Sequence, residues 1–123
     1  MKETKLFKNI KNIIEALSKH EDSSAIEVLE RIGTNCDSDE VRSLTASALV
    51  NRNTPESLSI VILSKGKGIN DMNTGVAMTT INDILSLQDK AIAMKILNDA
   101  AGTDIDEEIK ETARSVQALM ALS

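Results

Sequence analysis

Chemically reactive side chains are few in this chain of 123 residues. Cys36 and His20 are the only residues of their kinds, and a nucleophilic pair would need both of them brought together and oriented by a third group. Nothing in their spacing indicates such a pair, and both fall in predicted connections between helices. One cysteine and one histidine also cannot supply the four ligands of a structural zinc site. We therefore predict no catalytic residue and no cofactor, and we expect the protein not to be an enzyme.

Two clusters of acidic residues are candidates for a calcium site, one at residues 37–40 and the other at residues 104–108. An EF-hand loop that began at Asp104 would need glycine at position 109 and glutamate at position 115, where the chain has Ile109 and Ser115. Acidic residues at the start of a helix cap free backbone amides and oppose the positive end of the helix dipole. We therefore interpret both clusters as helix caps and predict no metal site.

The segment Ser64–Gly68, with the sequence SKGKG, comes nearest to a phosphate-binding loop. A Walker loop needs G-x-x-x-x-G-K-[ST] between a strand and a helix, and this segment meets neither condition. We expect its lysines to face the negative end of the preceding helix, while its glycines turn the chain.

Composition and length favour one soluble globular domain over residues 1–123. Hydrophobic residues make up 41% of the chain and charged residues 27%, as in ordinary soluble proteins. No run approaches the roughly 20 apolar residues of a membrane span, and the first residues lead into no signal-peptide core. The single cysteine cannot form an internal disulfide. We therefore expect a cytoplasmic location.

Charge and aromatic content argue against nucleic acid as a partner. Residues 1–20 carry a net charge of +3 and the remaining residues −8, so the whole chain carries −5. An acidic body repels phosphate backbones, and Phe7 is the only aromatic residue on which a base could stack. The same acidic body supports an alternative function, that of a small inhibitor or immunity-type protein that blocks a basic enzyme or toxin.

The elements that position these residues begin with an amphipathic helix at residues 5–19. Apolar side chains recur there at helical spacing, and they are Leu6, Phe7, Ile10, Ile13, Ile14 and Leu17. We expect this stripe to face the core, and residues 1–20 to form an N-terminal helix that caps one end of the fold. The stripe is also wide enough to pair with a second copy, so a homodimer stays an open alternative.

Apolar side chains after His20 repeat with a period near 34 residues. In the first helix of each unit the repeated positions are 25, 26, 28 and 29, then 59, 60, 62 and 63, then 93, 94, 96 and 97. In the second helix they are Val41 with Thr45, Val76 with Thr80, and Ile109 with Ala113. A period of this length over three copies indicates stacked helical hairpins.

Capping residues lie where this repeat needs them. Helix starts are indicated by Ser24 with Glu27, Asp37 with Glu40, Asp104 with Glu107, and Thr54 with Pro55. Left-handed caps at the ends of the first helices are predicted at Gly33, Gly66 and Gly102. We therefore predict helices near 23–33, 38–51, 55–65, 73–87, 89–101 and 105–122. The β-branched run at 58–63 would also fit a buried strand, but a lone strand has no partner, so we predict a helix there.

One run of residues, in the second helix of the first repeat, is more specific than hydrophobic periodicity. It reads Asp37-Ser38-Asp39-Glu40-Val41-Arg42, followed by Thr45 and by Ala48-Leu49. This run resembles the second-helix signature of HEAT repeats, whereas the later copies depart from it, with Gly75-Val76-Ala77 and Glu108-Ile109-Lys110. The resemblance implies an all-α fold, a short right-handed HEAT-like solenoid of about seven helices, with three hairpins over residues 23–123.

A helical repeat without a catalytic group predicts a non-enzymatic protein–protein interaction module, an adaptor or scaffold. In such solenoids the second helices commonly line one extended concave face, and that face binds. Arg42, Lys110 and Arg114 lie at positions of the second helices that we expect to be exposed, and arginine is over-represented at interfaces. We therefore predict that these three residues contact a protein partner.

Overall fold

A computed structural model describes residues 5–103 and 106–122. Within these ranges the chain forms seven α-helices and one short 3-10 helix, with no strand. The elements are α1 (Lys5–Lys19), α2 (Ser24–Asn35), α3 (Asp39–Arg52), α4 (Pro55–Leu63), η1 (Gly68–Asn70), α5 (Thr74–Leu85), α6 (Ala91–Thr103) and α7 (Glu107–Ala121). The predicted all-α class is confirmed, and each predicted helix is present to within a few residues at its ends.

Local side-chain chemistry explains why the β-branched segment of α4 is helical. The Ser57 N–H donates to Thr54 Oγ1 at 3.1 Å, and the Thr54 N–H donates to Ser57 Oγ at 3.2 Å. These reciprocal bonds form a capping box, and Pro55 at the first helical position is already restricted to helical φ. The helix start predicted at Thr54 and Pro55 is therefore confirmed.

The other helix starts use different caps from those predicted. The Val41 N–H donates to Ser38 Oγ at 3.4 Å, so Ser38 caps α3 rather than an Asp37–Glu40 box. At α2 the N-cap residue Ser23 makes no side-chain cap bond, and the first turn is bonded instead by Asp22, whose Oδ1 accepts from the Ser24 N–H at 2.9 Å. Asp106 caps α7, and the predicted Asp104 lies outside the described residues. Ser, Asp and Asn side chains at neighbouring positions can all make this bond, so a short polar run does not specify which residue is the cap.

The left-handed caps predicted at three glycines are wrong at all three positions. Gly66 is left-handed, with φ +78°, but α4 ends at Leu63 and its C-cap is Ser64 in an extended conformation. Gly33 and Gly102 lie inside α2 and α6, which continue to Asn35 and Thr103. Gly33 serves close packing instead, because a Cβ there would lie 2.7 Å from Thr45 Oγ1 on α3.

Helix α1 buries a slightly different face from the one predicted. Ile14 is buried and Phe7, Ile10 and Leu17 pack against the core, whereas Leu6 and Ile13 are 69% and 52% exposed. The buried stripe therefore runs through Ile14, and one edge of the predicted stripe stays in water. Arg52, at the end of α3, fixes this helix by donating to the Leu17 carbonyl oxygen at 3.0 Å.

The helices pack in two sets. Helix α3 packs against α1, α2 and α5, while α6 packs against α4 and α7. The short helix η1 lies between α4 and α5 and contacts both, so the second predicted hairpin is joined through η1. The core between these sets includes Leu29, Leu58, Ile62, Ile84 and Leu97.

The repeated positions of the second helices are the core-facing ones. Val41, Val76 and Ile109 are buried, and so are the residues four positions later, Thr45, Thr80 and Ala113. The first-helix register differs at α4, where Leu58 and Ile62 are buried and Leu63 is exposed. By burial, Leu58 and Ile62 correspond to Ala25 and Leu29, one residue earlier than the alignment at 59 and 63 predicts.

Candidate protein-binding face

Arg42 lies near the start of α3, and its guanidinium is engaged within the chain. Its Nε donates to Asp71 Oδ2 at 3.2 Å, and its Nη1 donates to the Asp37 carbonyl oxygen at 3.2 Å. Its Nη2 also contacts the Asp39 carboxylate. The Asp71 side chain is only 3% exposed, so the arginine neutralises a carboxylate that is almost completely buried.

Asp71 and Asn73 extend this network to the start of α5. The Asn73 N–H donates to Asp71 Oδ1 at 2.9 Å. The Asn73 side chain then donates from Nδ2 to Asp39 Oδ2 at 2.7 Å, while its Oδ1 accepts from the Val76 N–H at 3.1 Å and caps α5. The network therefore joins the amino-terminal ends of α3 and α5 and fixes one helix relative to the other.

The charge of Arg42 is reinforced by this arrangement. The hydrogen bond to Asp71 raises the pKa of Arg42, with a smaller contribution from Asp39. Arginine is charged throughout the accessible pH range in any case, so Arg42 supplies a permanent positive charge to the network. That Arg42 contacts a partner stays a prediction, and its donors already have acceptors inside the chain.

Lys110 and Arg114 lie on α7, four residues apart and therefore on one side of that helix. Lys110 is half-buried and Arg114 is exposed. Neither forms an ion pair with the residues described here. Helix α7 packs mainly on α6, whereas α3 packs on α1, α2 and α5, so the structure does not bring Arg42 together with the other two.

The glycine–lysine segment between α4 and η1 has a structural role. Lys65 Nζ lies 3.3 Å from Glu108 and 3.7 Å from Asp106, and Lys67 Nζ lies 3.0 Å from Glu30. The hydrogen bond to Glu108 raises the pKa of Lys65. The prediction that these lysines face the end of α4 is wrong, because they pair with carboxylates on α2 and at the start of α7.

Gly68 explains why this segment contains glycine. It has φ +54°, and a Cβ there would lie 2.4 Å from the Val61 carbonyl oxygen. The backbone therefore turns directly against α4, where no other residue fits without a shift. Both lysines of this segment are paired and its backbone packs on α4, so the segment links neighbouring helices. Nothing about it supports an anion site.

The two residues considered for nucleophilic chemistry are held separately. Cys36 ends α2 and packs, half-buried, against the core. His20 is exposed after α1, and its Nδ1 accepts from the Asp22 N–H at 3.1 Å. In the described part of the chain, no three histidine, cysteine or acidic side chains are grouped as a metal site would require.

A groove crosses the face formed by α1, α3 and α5. It has a volume of about 500 Å³ and is open to solvent along its length. Phe7 and Lys11 line it from α1, Leu44 and Ser47 from α3, and Val76 and Thr79 from α5, together with Asp39, Glu40, Ser43, Asn73 and Gly75. The Ser47 hydroxyl donates to the Asp83 carboxylate and so adds a second tie between α3 and α5.

The repeat in the sequence also indicates which residues line this groove. The residues directly before the repeated core positions of α3 and α5 are Glu40 with Leu44, and Gly75 with Thr79, and all four line the groove. The corresponding residues of α7, Glu108 and Thr112, line a second shallow groove beside η1. Apart from Leu44, these positions hold small or polar residues that are common on any solvated helix face, so the residue types alone do not distinguish them.

Comparison of the chain with models of known protein families, with curated proteins and with solved structures found no match. Across the described residues, none of the helices combines the length and the apolar character that a membrane crossing requires.

Proposed function

We propose that this protein is a non-enzymatic protein–protein interaction module, and that it binds its partner in the groove on α1, α3 and α5. The observation that carries the proposal is the coincidence of two patterns at α3 and α5. Positions that repeat through the sequence are buried in both helices, and the positions directly before them line one continuous open groove.

The proposed architecture is a short solenoid of three HEAT-like hairpins, α2–α3, α4–α5 and α6–α7, capped by α1. The packing of α3 on α5 and of α4 on α6 supports it, because like helices of successive hairpins are neighbours in a stack. In this arrangement the second helices α3 and α5 form the binding face, and α1 extends that face by one helix.

The groove is suited to a segment of polypeptide. It lies along helices, has apolar contacts at the half-buried Phe7 and Leu44, and offers hydroxyl groups at Ser43 and Thr79. Peptide segments that bind helical grooves use such alternating apolar and polar contacts. The ties from Arg42 to Asp71 and from Ser47 to Asp83 hold the groove walls in place, which reduces the entropy lost on binding.

The test is affinity capture from lysate of the source cells with the tagged chain, with the stoichiometry of bound protein measured by mass spectrometry. The groove variant is Thr79→Arg, which places a bulky cation between α3 and α5. The matched control is Glu27→Arg, which introduces the same residue on the exposed side of α2. We expect one dominant protein at near-equal ratio, retained by the control and lost with the groove variant. Equal recovery with both variants, or no recovered protein, would contradict the proposal.

The acidic-inhibitor function is a second candidate for the same groove. It is favoured by Asp39 and Glu40 on the groove wall and by the net charge of −8 outside the first 20 residues. In that case the captured protein is a basic enzyme or toxin, and its association rate falls steeply as salt is raised. An association rate that is insensitive to salt would exclude this candidate and leave the adaptor function.

A further inference from the structure

One edge of α1 keeps two large apolar side chains in water. Leu6 is 69% exposed and Ile13 is 52% exposed. They are two helical turns apart and therefore lie on one side of α1. Lys11, which lines the groove on α1, α3 and α5, lies on the other side of the buried Ile14, at about 100° of rotation per residue. This edge is therefore separate from the groove of the proposed function.

Two small side chains complete the edge. Asn9 and Ala16 are exposed and follow Leu6 and Ile13 by three residues each. Positions 6, 9, 13 and 16 thus have the alternating spacing of three and four residues along which helices pair in coiled coils. We call these four residues the α1 seam. In an antiparallel pair of such seams each large side chain lies opposite a small one, which permits close packing.

Helix α2 extends the apolar surface beside the seam. Val28 is 41% exposed. It lies on the side of α2 opposite to Glu30 and Thr34, which line a cavity shared with α4, and therefore on the side toward α1. A helix that caps the end of a helical stack needs a polar outer side if nothing covers it. The exposed seam therefore indicates that a further helix packs there.

The amino-terminal end of α1 is basic. Lys5 and Lys8 are exposed there, and the first turn contains no acidic residue. Lys5 directly precedes Leu6 and lies four residues before Asn9, so its side chain borders the seam. Lys8 lies on the outer side of the helix, away from the seam.

The turn that follows the carboxyl-terminal end of α1 is acidic. Glu21 and Asp22 are exposed there, whereas Lys19 pairs with Glu15 at 3.6 Å. Arg52 also approaches this turn, but its guanidinium donates to backbone carbonyl oxygens. In an antiparallel pair of α1 helices the basic end of each copy lies beside the acidic turn of the other. The charges are therefore complementary between two identical copies, as a two-fold interface requires.

We infer that the α1 seam binds the α1 seam of a second copy of this chain in antiparallel orientation, so that two copies form a two-fold dimer. Leu6 of each copy lies opposite Ala16 of the other, and Ile13 lies opposite Asn9. The long side chain of Lys5 then reaches toward Glu21 of the other copy. Each copy keeps its groove on α1, α3 and α5 accessible, so the inference does not depend on the proposed function.

The test is sedimentation equilibrium of the whole chain from about 10 μM to about 1 mM. We expect a reversible dimer with a dissociation constant on the order of 100 μM, because a seam of two heptads buries less area than a standard protein interface. The dissociation constant should rise with salt, since salt screens the charges at the two ends of the seam.

Ile13→Gln tests the apolar contact. It should raise the dissociation constant at least about tenfold, because the dimer then buries an amide in place of an apolar side chain. The matched control is Met94→Gln on α6, where the side chain is similarly exposed at 48%, and it should change nothing. Thr79→Arg in the other groove should also dimerise like the wild type, so failure of this inference and failure of the proposed function are distinguishable.

A charge exchange tests the antiparallel orientation. Lys5→Glu and Glu21→Lys should each weaken the dimer by about threefold to tenfold, and both changes in one chain should restore it. Within one copy these residues are at opposite ends of α1, roughly 24 Å apart along the axis, so restoration reports a contact between copies. Lys95→Glu on the exposed side of α6 is the charge control and should leave the dimer unchanged.

Four results would overturn the inference. The first is a chain that stays monomeric up to about 1 mM. The second is equal weakening by Ile13→Gln and Met94→Gln. The third is a doubly exchanged chain that dimerises no better than either single variant, which contradicts the antiparallel orientation. The fourth is a monomeric chain that binds vesicles of phosphatidylcholine and phosphatidylglycerol and loses this binding with Ile13→Gln, since lipid would then cover the seam.

Discussion

Two arginines that look alike in the sequence have different surroundings in the structure. Arg42 on α3 is partly buried and holds Asp71, whose side chain is 3% exposed. Arg114 on α7 is exposed and pairs with no carboxylate in the described residues. Both lie on predicted second helices, yet only Arg42 connects separate elements of the fold. The comparison shows that an arginine on a second helix is free to bind a partner only if no carboxylate from a distant part of the sequence already neutralises its guanidinium.

The same contrast extends to the regions around these residues. Near Arg42 the starts of α3 and α5 are joined by side-chain hydrogen bonds, and the segment after α4 is tied by Lys65 and Lys67. On the outer side of α6 and α7, Met94 is half-exposed, and Lys110 forms no ion pair with the part of the chain that the structure describes. We therefore expect substitutions in the first region to lower stability more than substitutions in the second.

Replacing the two arginines gives the largest expected difference. Arg42→Met leaves the buried Asp71 carboxylate without its counter-ion, and we expect the free energy of unfolding to fall by about 2–3 kcal/mol. This loss is smaller than that for a fully buried ion pair, because the guanidinium is partly exposed. The matched control Arg114→Met should change it by no more than about 0.5 kcal/mol. Urea unfolding followed by circular dichroism measures both. Equal effects of the two substitutions would refute the distinction.

Arg52→Met should have the next largest effect, because Arg52 holds the turn between α1 and α2. Its guanidinium donates to the Leu17 carbonyl oxygen at 3.0 Å and to the Asp22 carbonyl oxygen at 3.3 Å. Loss of these bonds should lower the free energy of unfolding by about 1–2 kcal/mol and speed amide hydrogen exchange in α1. The exposed Arg31→Met is the control. Unchanged exchange in α1 would show that Arg52 does not hold this helix.

Two glycines inside helices should respond to alanine with opposite signs. Gly33→Ala places a methyl group 2.7 Å from Thr45 Oγ1, on a side chain with little rotational freedom. We expect Gly33→Ala to lower the free energy of unfolding by about 1 kcal/mol. A Cβ at Gly102 would have no atom within 4 Å. Gly102→Ala should therefore raise the free energy of unfolding by about 0.5 kcal/mol through the higher helix propensity of alanine. Thermal unfolding measures both, and a stabilising Gly33→Ala would contradict the close packing of α2 on α3.

The smallest expected effect is a pH dependence at the start of α2. The backbone hydrogen bond from Ser24 lowers the pKa of Asp22 below its usual 3.8. The ionised carboxylate therefore stabilises the fold above that pH, and the contribution is lost as pH falls through the lowered pKa. The stability difference between the wild type and Asp22→Asn should shrink as pH falls toward 2. The control is Glu21→Gln at the neighbouring exposed position. A difference that stays constant with pH would argue against this cap.

Much of the fold could be predicted from local patterns. Apolar spacing and caps such as Thr54 with Pro55 act within a few residues, so the helices were predictable. The second-helix register was predictable because Val41, Val76 and Ile109 repeat in sequence and are buried alike. The buried side of α1 could not be predicted, because Leu6 and Ile13 are as apolar as Ile10 and Ile14. Only the packing of α1 on α2 and α3 determines which of these side chains are buried.

The candidate sites were less predictable because they depend on contacts between distant residues. Asp71 is 29 positions from Arg42, and no local signal connects them. Lys110 and Arg114 were predicted to be exposed basic residues, but Lys110 is half-buried, and its burial depends on how α7 packs against α6. The groove on α1, α3 and α5 includes residues such as Glu40 and Thr79, whose types are ordinary for an exposed helix face, so only the register that α3 and α5 share indicates them.

The most direct test of the proposed binding face is site-specific photo-crosslinking in the source cells. A photoreactive amino acid replaces Thr79 in the groove and, in a second protein, Glu27 on the exposed side of α2. The account predicts one crosslinked protein from position 79 and none from position 27. A crosslink that forms only from position 27, or none from position 79 while the protein is folded and expressed, would contradict it.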